Sequence, residues 1–310
     1  MIIDAHAHIF PTVKGKTAEG STRSVGYGRI AVGNRIIQLI PPFCKFTQHS
    51  PEMLIAHMDF TGVDRAVLLQ GPFYGECNSY VVQAVKKYPN KFSAMAYFDP
   101  WSQNAFEHFK LICRSGIFRG IKIEFSVPTG FSGIYKDIRL DSDELEWLWY
   151  ELEARKLVIN LDLGAVGSPS YRTNEVRRIA ERHPGLNMVI AHLGQPVPAL
   201  DNDRDLYYIW ETQLKLAKMP NVWFDTASLM TYFQGEENSF EIARKYFMKA
   251  VELTGTEKIM FGSDIPGTLI HVSYYQQRLM MELFLKCMDR NEREKILGGN
   301  AWKVYFESIQ

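Results

Sequence analysis

The sequence is poor in cysteine. Its 310 residues include only four cysteines, and they are widely scattered with no Cys-x-x-Cys pair: Cys44, Cys77, Cys113 and Cys287. This spacing encodes neither a disulfide framework nor a thiolate zinc site. We therefore expect reduced thiols, as in a cytoplasmic protein.

The sequence also lacks net charge and long apolar runs. Its 35 basic residues balance 35 acidic residues, so it has no electrostatic footprint for nucleic acid or for an anionic membrane. No apolar run approaches the roughly 18 residues of a membrane helix, and the N-terminus enters an apolar strand without a signal-peptide pattern. We expect a cytoplasmic protein that acts on a small-molecule substrate, with neither nucleic acid nor membrane as partner.

The first apolar segment, residues 1–10, carries two histidines. Strand side chains alternate between faces, so His6 and His8 should share one face, with the odd-numbered residues from Ile3 to Ile9 on the other. Histidine is the commonest protein ligand of zinc, and two neutral imidazoles form a natural half of a metal site. A solvent-facing histidine pair is the alternative.

Short β-branched apolar runs alternate with amphipathic segments along the whole chain. This order favours βα units and a parallel sheet. Eight such runs predict an α/β fold of the (β/α)8 TIM-barrel type, in one domain over residues 1–310. The predicted strands lie at residues 1–10, 65–70, 92–98, 120–125, 157–162, 188–192, 222–225 and 258–264.

Residue types that cap helices mark several helix ends. We predict one helix from Ser50-Pro51 to Gly62 and a second from Ser102 to Gly116. A third, rich in aromatic residues, follows Asp141. The surplus length lies mainly in the connection 11–49, whose glycine-rich part, 20–33, we interpret as a lid over the pocket.

In TIM barrels the chemistry lies at the C-terminal ends of the strands. Here those ends gather polar groups that are costly to bury without partners. This accumulation predicts an active site formed by His6, His8, Gln70, Asp99, Lys122, Glu124, Asn160, Asp162, His192, Asp225 and Asp264.

Four motifs in this order resemble the amidohydrolase superfamily, in the branch of aminocarboxymuconate semialdehyde decarboxylase. They are Asp-Ala-His-Ala-His at 4–8, Val-Ile-Ala-His-Leu-Gly at 189–194, Phe-Gly-Ser-Asp-Ile-Pro at 261–266 and Ile-Leu-Gly-Gly-Asn-Ala at 296–301. The resemblance implies a distorted TIM barrel in which His6, His8 and Asp264 bind a divalent metal ion. It also implies that His192 handles the protons of the reaction.

One position departs from the pattern of that branch, in which strand five commonly ends in a histidine. Here Asp162 stands at that place, so we predict it as a further metal ligand. Zinc is the expected ion, and a carboxylate ligand makes manganese or iron alternatives. Related metal-independent lactonases keep the strand-one histidines and the strand-eight aspartate, so a metal-free site is also open.

Five further residues are predicted to bind substrate because they end strands or follow strand eight: Gln70, Lys122, Glu124, Asn160 and His271. Lys122 and Glu124 share a face of strand four. They also fit a salt-bridged pair within the barrel, and Glu124 fits a minor metal ligand.

The predicted reaction is hydrolysis of a lactone, ester or amide bond by a metal-activated water. Asp264 or His192 would take the proton of that water. The runner-up is a metal-dependent decarboxylase of an aromatic or unsaturated carboxylic acid, which should place a cation near the metal. Its candidates are Lys122, Arg119, Arg23, Arg29 and Arg35, but no arginine ends a strand, so we favour hydrolysis.

Two further hypotheses concern binding. A barrel that has lost its chemistry and only binds a ligand or partner is the non-enzymatic alternative. Trp147, Trp149 and Tyr150 are expected to pack against the barrel, and an exposed aromatic face there would favour a homodimer.

Overall fold

The computed structural model describes residues 1–307 and contains two sheets, one of eight strands and one of four. The strands of the described residues are β1 (Ile3–Ala7), β2 (Lys14–Thr17), β3 (Gly20–Gly26), β4 (Arg29–Val32), β5 (Arg35–Gln38), β6 (Arg65–Leu68), β7 (Phe92–Tyr97), β8 (Gly120–Glu124), β9 (Val158–Asp162), β10 (Met188–Ile190), β11 (Val222–Asp225) and β12 (Ile259–Met260).

The larger sheet is a TIM barrel. Its strands β1 and β6 to β12 are neighbours in chain order, and every pair is parallel. The ring closes between β1 and the segment after β12, where the Asp264 N–H donates to the His6 carbonyl at 2.8 Å and the His8 N–H to the Ile265 carbonyl at 2.8 Å. The predicted fold and its eight strands are therefore confirmed, with several strands shorter than predicted.

Helices follow the barrel strands and cover their outer face. They are α1 (Pro51–Thr61), α2 (Asn78–Lys87), α3 (Ala105–Arg114), α4 (Phe131–Ile134), α5 (Glu146–Ala154), α6 (Thr173–Arg182), α7 (Arg204–Leu214), α8 (Ser239–Thr254), α9 (Tyr274–Phe284) and α10 (Arg290–Glu294), with π-helical turns at Lys295–Gly299 and Trp302–Phe306. Short 3-10 turns lie at Asp143–Leu145, Ala191–Gly194, Pro198–Asp201, Lys215–Lys218, Thr256–Lys258, Gly267–Ile270 and Leu285–Cys287. Within residues 1–307, no helix combines the length and apolar character needed to cross a membrane.

The predicted helix ends had mixed outcomes. At α1, Ser50 Oγ accepts the Met53 N–H, and Gly62 ends the helix with φ 71°, as predicted. The start of α3 was predicted too early. Ser102 Oγ donates to the Asp99 carbonyl and so stabilises a turn, and the helix begins only at Ala105.

Apolar side chains fill the lower part of the barrel and the layer between strands and helices. The C-terminal segment closes the bottom with Tyr305, which is fully buried in the inner cluster. In the outer layer, Trp149 is fully buried and donates to the Leu140 carbonyl, whereas Tyr150 is exposed. The barrel floor is thus packed, which leaves only the upper end open for a site.

The smaller sheet lies in the connection 11–49, for which no strands were predicted. Strands β2 to β5 pair antiparallel, and Tyr27-Gly28 forms a two-residue turn with φ values of 52° and 73°. Such turns require positive φ and strongly favour hairpins. The sheet packs on the loop after β6, where the Lys14 N–H donates to the Tyr74 carbonyl at 3.0 Å. It is therefore an ordered element beside the pocket.

Candidate active site

A cavity of about 390 Å³ lies at the C-terminal ends of the barrel strands. Histidines, carboxylates and hydroxyl groups make up much of its wall. The lining residues are His8, Phe73, Tyr74, Lys122, Glu124, Ser126, Pro128, Thr129, Asp162, Gly164, Ala165, Ser168, His192, Gln195, Ser228, Tyr232 and Asp264.

An irregularity in β1 aims both of its histidines at this site. The pairing of β1 with β6 shifts register between Asp4 and Ala7. Ala5 lies in the apolar cluster inside the barrel. The next residue, His6, also points inwards and contacts Asp225 and Lys122. Such a bulge places two successive residues on one side of the strand. The shared face of His6 and His8 is thus found, but the regular alternation predicted for the rest of the strand is wrong.

Three ligand atoms converge above this bulge. His8 Nε2 lies 3.0 Å and His6 Nε2 3.8 Å from Asp264 Oδ1, and the three groups lie within 4.8 Å of one another. The opposite ring nitrogens are held by acceptors: His6 Nδ1 by Asp225 Oδ2 at 3.1 Å and His8 Nδ1 by the Leu69 carbonyl at 2.8 Å. In the neutral rings, both Nε2 lone pairs therefore point at the same place.

This donor set fits a divalent metal ion. Histidines that bind metals usually donate their second nitrogen to a carboxylate or carbonyl, as both do here. Burial, together with the nearby positive charge of Lys122, lowers the pKa of His6 to about 4, so its Nε2 is free of a proton at neutral pH. His8 Nε2 lies at hydrogen-bond distance from Asp264 Oδ1, and a bound cation would take the place of the proton between these two atoms.

Asp264 is held in place as an ionised group. Its Oδ2 accepts a hydrogen bond from Ser228 Oγ at 2.5 Å. Burial would raise its pKa, but the His8 hydrogen bond and the neighbouring His6 lower it well below the usual range. Asp264 and Ser228 both have left-handed backbone, with φ values of 63° and 58°. Non-glycine residues in this conformation are uncommon and cluster at functional sites.

Lys122 brings a positive charge to the same place. Its Nζ lies 3.3 Å from His6 Nε2 and 3.6 Å from Glu124 Oε2. Burial disfavours the ammonium, but the carboxylates of Glu124 and Asp162 outweigh this and raise the pKa of Lys122. The salt bridge between Lys122 and Glu124, considered for strand four, is therefore present. The Lys122 ammonium also contacts the Nε2 lone pair of His6 that a metal ion would use.

His192 and Asp162 form a second unit on the far side of the cavity. His192 Nε2 lies 3.0 Å from Asp162 Oδ2, and Nδ1 lies 3.1 Å from the Ala227 carbonyl. Since both partners are acceptors, the ring carries two protons. Burial opposes this charge, but Asp162 outweighs it and raises the pKa of His192 to about 10. The geometry thus pairs Asp162 with His192 and leaves it outside the converging group of His6, His8 and Asp264.

The other predicted substrate contacts have different positions. Lys122 and Glu124 line the cavity, as expected for residues at the end of β8. Asn160 lies beneath it, buried between Asp225 and Tyr305. Leu69 faces the barrel interior, so its neighbour Gln70 points outwards, because successive side chains of a strand alternate. The Gln70 side chain accepts a hydrogen bond from Cys77 Sγ.

His271 lies in the eighth loop but is exposed and does not line the cavity. None of the described residues that line the cavity is an arginine, so the arginines considered for a decarboxylase lie elsewhere. Arg119, for instance, donates to the Glu307 carbonyl, and Arg35 pairs with Glu19.

Several site residues escaped the sequence-based prediction. Ser228 and Tyr232 follow β11, and Tyr74 follows β6. The position of these residues in strand-end loops is a usable signal, but many loop residues share it. The sequence identifies Asp225 only as a carboxylate at the end of a strand. Its role in holding His6 Nδ1 depends on a contact between residues 219 positions apart.

The sequence model of the amidohydrolase family matches residues 3–306. The chain belongs to the amidohydrolase family. This membership confirms the resemblance drawn from the four motifs and the prediction of an amidohydrolase-type enzyme. The match includes the small sheet as well as the barrel.

Proteins similar to this chain come from bacteria, and the matches cover different lengths. L-fucono-1,5-lactonase of Burkholderia multivorans is 26% identical over 138 residues, which are 42% of this chain and 47% of that protein. The match thus spans less than half of the lactonase. A zinc-bound amidohydrolase from Burkholderia multivorans has a TM-score of 0.73 at 18% identity, covering 98% of this chain and 99% of its own.

A third similar protein is a probable 2-pyrone-4,6-dicarboxylic acid hydrolase from Acinetobacter baumannii, solved with citric acid bound. Its TM-score is 0.71 at 16% identity, and the match covers 98% of each chain. At such identities the two structural matches establish the shared barrel fold alone.

Proposed function

We propose that this enzyme is a metal-dependent hydrolase that opens a small lactone. The observation that carries the proposal is the convergence of His6 Nε2, His8 Nε2 and Asp264 Oδ1 opposite a doubly protonated His192. Two imidazoles and one carboxylate are a ligand set typical of catalytic zinc, with manganese or iron as alternatives. The similar lactonase and the probable pyrone hydrolase support a cyclic ester as the bond that is cleaved.

The metal ion, when bound, would supply a Lewis acid that polarises the carbonyl and acidifies water. His6 and His8 would hold it with their Nε2 atoms, because the acceptors on Nδ1 favour the tautomer that leaves Nε2 to the metal ion. Asp264, which is 23% exposed to the cavity, is the group with a lone pair available to take the proton of the attacking water. The step is hydrolysis without a covalent enzyme intermediate.

His192 suits the opposite role. Since its imidazolium is stabilised by Asp162, it can donate a hydrogen bond or a proton to the leaving alkoxide. This division of roles narrows the earlier expectation that either Asp264 or His192 takes the water proton. It gives Asp162 the task of holding His192, in place of metal ligation.

A direct test begins with elemental analysis of the purified protein, followed by chelation and reconstitution. Turnover would be followed with a pH indicator on a panel of lactones, alongside CO₂ release from aromatic carboxylic acids. We expect lactone opening that chelation abolishes and zinc or manganese restores. Lactone opening that survives chelation would support the metal-independent alternative, and CO₂ release without lactone turnover would support the decarboxylase.

A further inference from the structure

Glu124 is a carboxylate in the cavity wall that the proposed chemistry does not use. It ends β8, and its side chain is 12% exposed. Its Oε1 accepts hydrogen bonds from Ser126 Oγ at 3.1 Å and from Thr129 Oγ1. Among residues 1–307, no side chain or backbone group donates a hydrogen bond to Oε2. Oε1 is therefore fixed by hydrogen bonds, whereas Oε2 has only the ion-pair contact with Lys122 Nζ at 3.6 Å and can accept a hydrogen bond from a ligand.

Gly71 leaves room for Glu124 Oε2. A Cβ atom at position 71 would lie 2.9 Å from Glu124 Oε2, closer than real Cβ contacts allow. Glycine in the loop after β6 thus leaves room for the carboxylate. Two hydroxyls of its own loop thus hold Glu124, in a space that a side chain at position 71 would reduce.

The positive charges of the cavity are already paired. Lys122 Nζ lies 3.3 Å from His6 Nε2 and 3.6 Å from Glu124 Oε2. Both ring nitrogens of His192 have acceptors. No arginine is among the described residues that line the cavity. In the metal-free structure, a carboxylate on the substrate would therefore find the cationic side chains of the lining already paired, and near Glu124 it would meet a like charge.

Most of the other polar lining groups are hydroxyls. They belong to Tyr74, Ser126, Thr129, Ser168, Ser228 and Tyr232, and Gln195 adds an amide. These groups can donate to and accept from the hydroxyls of a neutral ligand. The lining thus suits a polyhydroxylated molecule better than a dicarboxylate.

We propose that Glu124 is a specificity-determining residue that selects an uncharged, hydroxylated lactone. Oε2 accepts a hydrogen bond from a substrate hydroxyl, and its charge excludes a lactone that bears a carboxylate at that position. The proposal rests on the lactonase function proposed above. It distinguishes this chain's substrate from the dicarboxylic acid named for the structural neighbour.

The test compares Glu124→Gln with the unaltered enzyme, both loaded with zinc. The substrates are matched pairs that differ only in one group, such as D-glucono-1,4-lactone and D-glucaro-1,4-lactone, together with δ-valerolactone, which has no hydroxyl. We expect the unaltered enzyme to favour the neutral lactone by about 100-fold in kcat/KM, because the carboxylate of the other lactone would find the cationic side chains of the cavity already paired. In Glu124→Gln this ratio should fall by about tenfold or more.

A second readout separates binding from general damage. If Glu124 accepts a substrate hydroxyl, Glu124→Gln should raise KM for the hydroxylated lactone and affect δ-valerolactone about tenfold less. Glu76→Gln, an exposed carboxylate outside this cavity, is the matched control and should leave the ratio unchanged.

The outcomes are distinct. If the unaltered enzyme opens none of the lactones, the lactonase function itself falls. If it opens lactones but prefers the carboxylated members, or if Glu124→Gln leaves the preference unchanged, the role of Glu124 is overturned while the lactonase function stands.

Discussion

Lys122 Nζ lies 3.3 Å from His6 Nε2, so a buried ammonium occupies the lone pair of a proposed metal ligand. The two groups are held there by different strands, β8 and β1, and neither is more than 2% exposed. A metal ion at His6 must therefore displace a resident positive charge. The Lys122 ammonium and a bound metal ion are therefore alternative counterions for the same carboxylates.

The first prediction follows from this competition. Lys122→Met should bind zinc about tenfold more tightly or better, because the displaced ammonium and its repulsion of the metal are both removed. Isothermal titration of the metal-free protein measures the change, and Lys303→Met, outside the cavity, is the control. Unchanged or weaker zinc affinity in Lys122→Met would show that the ammonium does not compete.

The second prediction concerns the ligand set. His8→Ala should lose most of its bound metal, because one of three ligands is missing, whereas Asp162→Ala should keep it. Elemental analysis after gel filtration measures the metal per chain. Loss of metal in Asp162→Ala as well would favour the original sequence-based prediction that Asp162 is a ligand.

The third prediction is a pH dependence of folding stability without metal. The pKa of His192 is raised from 6.5 to about 10, so its contribution to stability is full below pH 6.5 and is lost as the pH rises towards 10. The pKa of Asp162 is lowered, so its contribution is full above its ordinary value of 3.8. The pair therefore stabilises the fold most between about pH 4 and 6.5.

Asp162→Asn should accordingly lower the free energy of unfolding by about 3 kcal/mol at pH 5.5, and by less at pH 9. Urea unfolding of both proteins at the two pH values measures this difference. Asp59→Asn removes the exposed partner of Lys91 and should cost little at either pH. A difference for Asp162→Asn that grows with pH would contradict the charged pair.

The fourth prediction concerns the small sheet. Tyr27 has a φ of 52° at the first position of a turn that favours Asn-Gly, and its side chain is 53% exposed. Tyr27→Asn should stabilise the protein by about 0.5–1 kcal/mol, because asparagine tolerates left-handed backbone better. Urea unfolding is the measurement. Tyr208→Asn, exposed in the right-handed helix α7, should give no gain, and a loss for Tyr27→Asn would show that the ring packs.

The barrel could be predicted from the sequence because its signals are local and repeated. Each strand is a short apolar run, such as 222–225, and the structure keeps that run unchanged as β11. The ends of strands also place His6, His8, Lys122 and Asp264 at one rim once the barrel is assumed. Pattern and topology together were sufficient for these residues.

What the sequence did not reveal depends on departures from regular geometry. The bulge in β1, the left-handed backbone at His192 and Asp264, and the pairing of Asp162 with His192 are tertiary features with no periodic signature. The sheet β2 to β5 is a different case. Its turn dipeptides, Tyr27-Gly28 and Gly33-Asn34, are visible in the sequence. However, β2 and β3 have few apolar residues and β4 and β5 are only four residues long, so the segment resembles a loop.

The attachment of the small sheet also matters for how this enzyme could diverge. Thr22 Oγ1 donates a hydrogen bond to the Phe73 carbonyl at 2.7 Å, and the Lys14 N–H donates one to the Tyr74 carbonyl. The sheet therefore binds the backbone of two residues whose side chains form a wall of the cavity. Substitutions in β2 and β3 can therefore reshape the wall without touching the ligand groups on the barrel. In a directed-evolution experiment, we would expect new substrate preferences to arise from these remote strands while the catalytic rim stays unaltered.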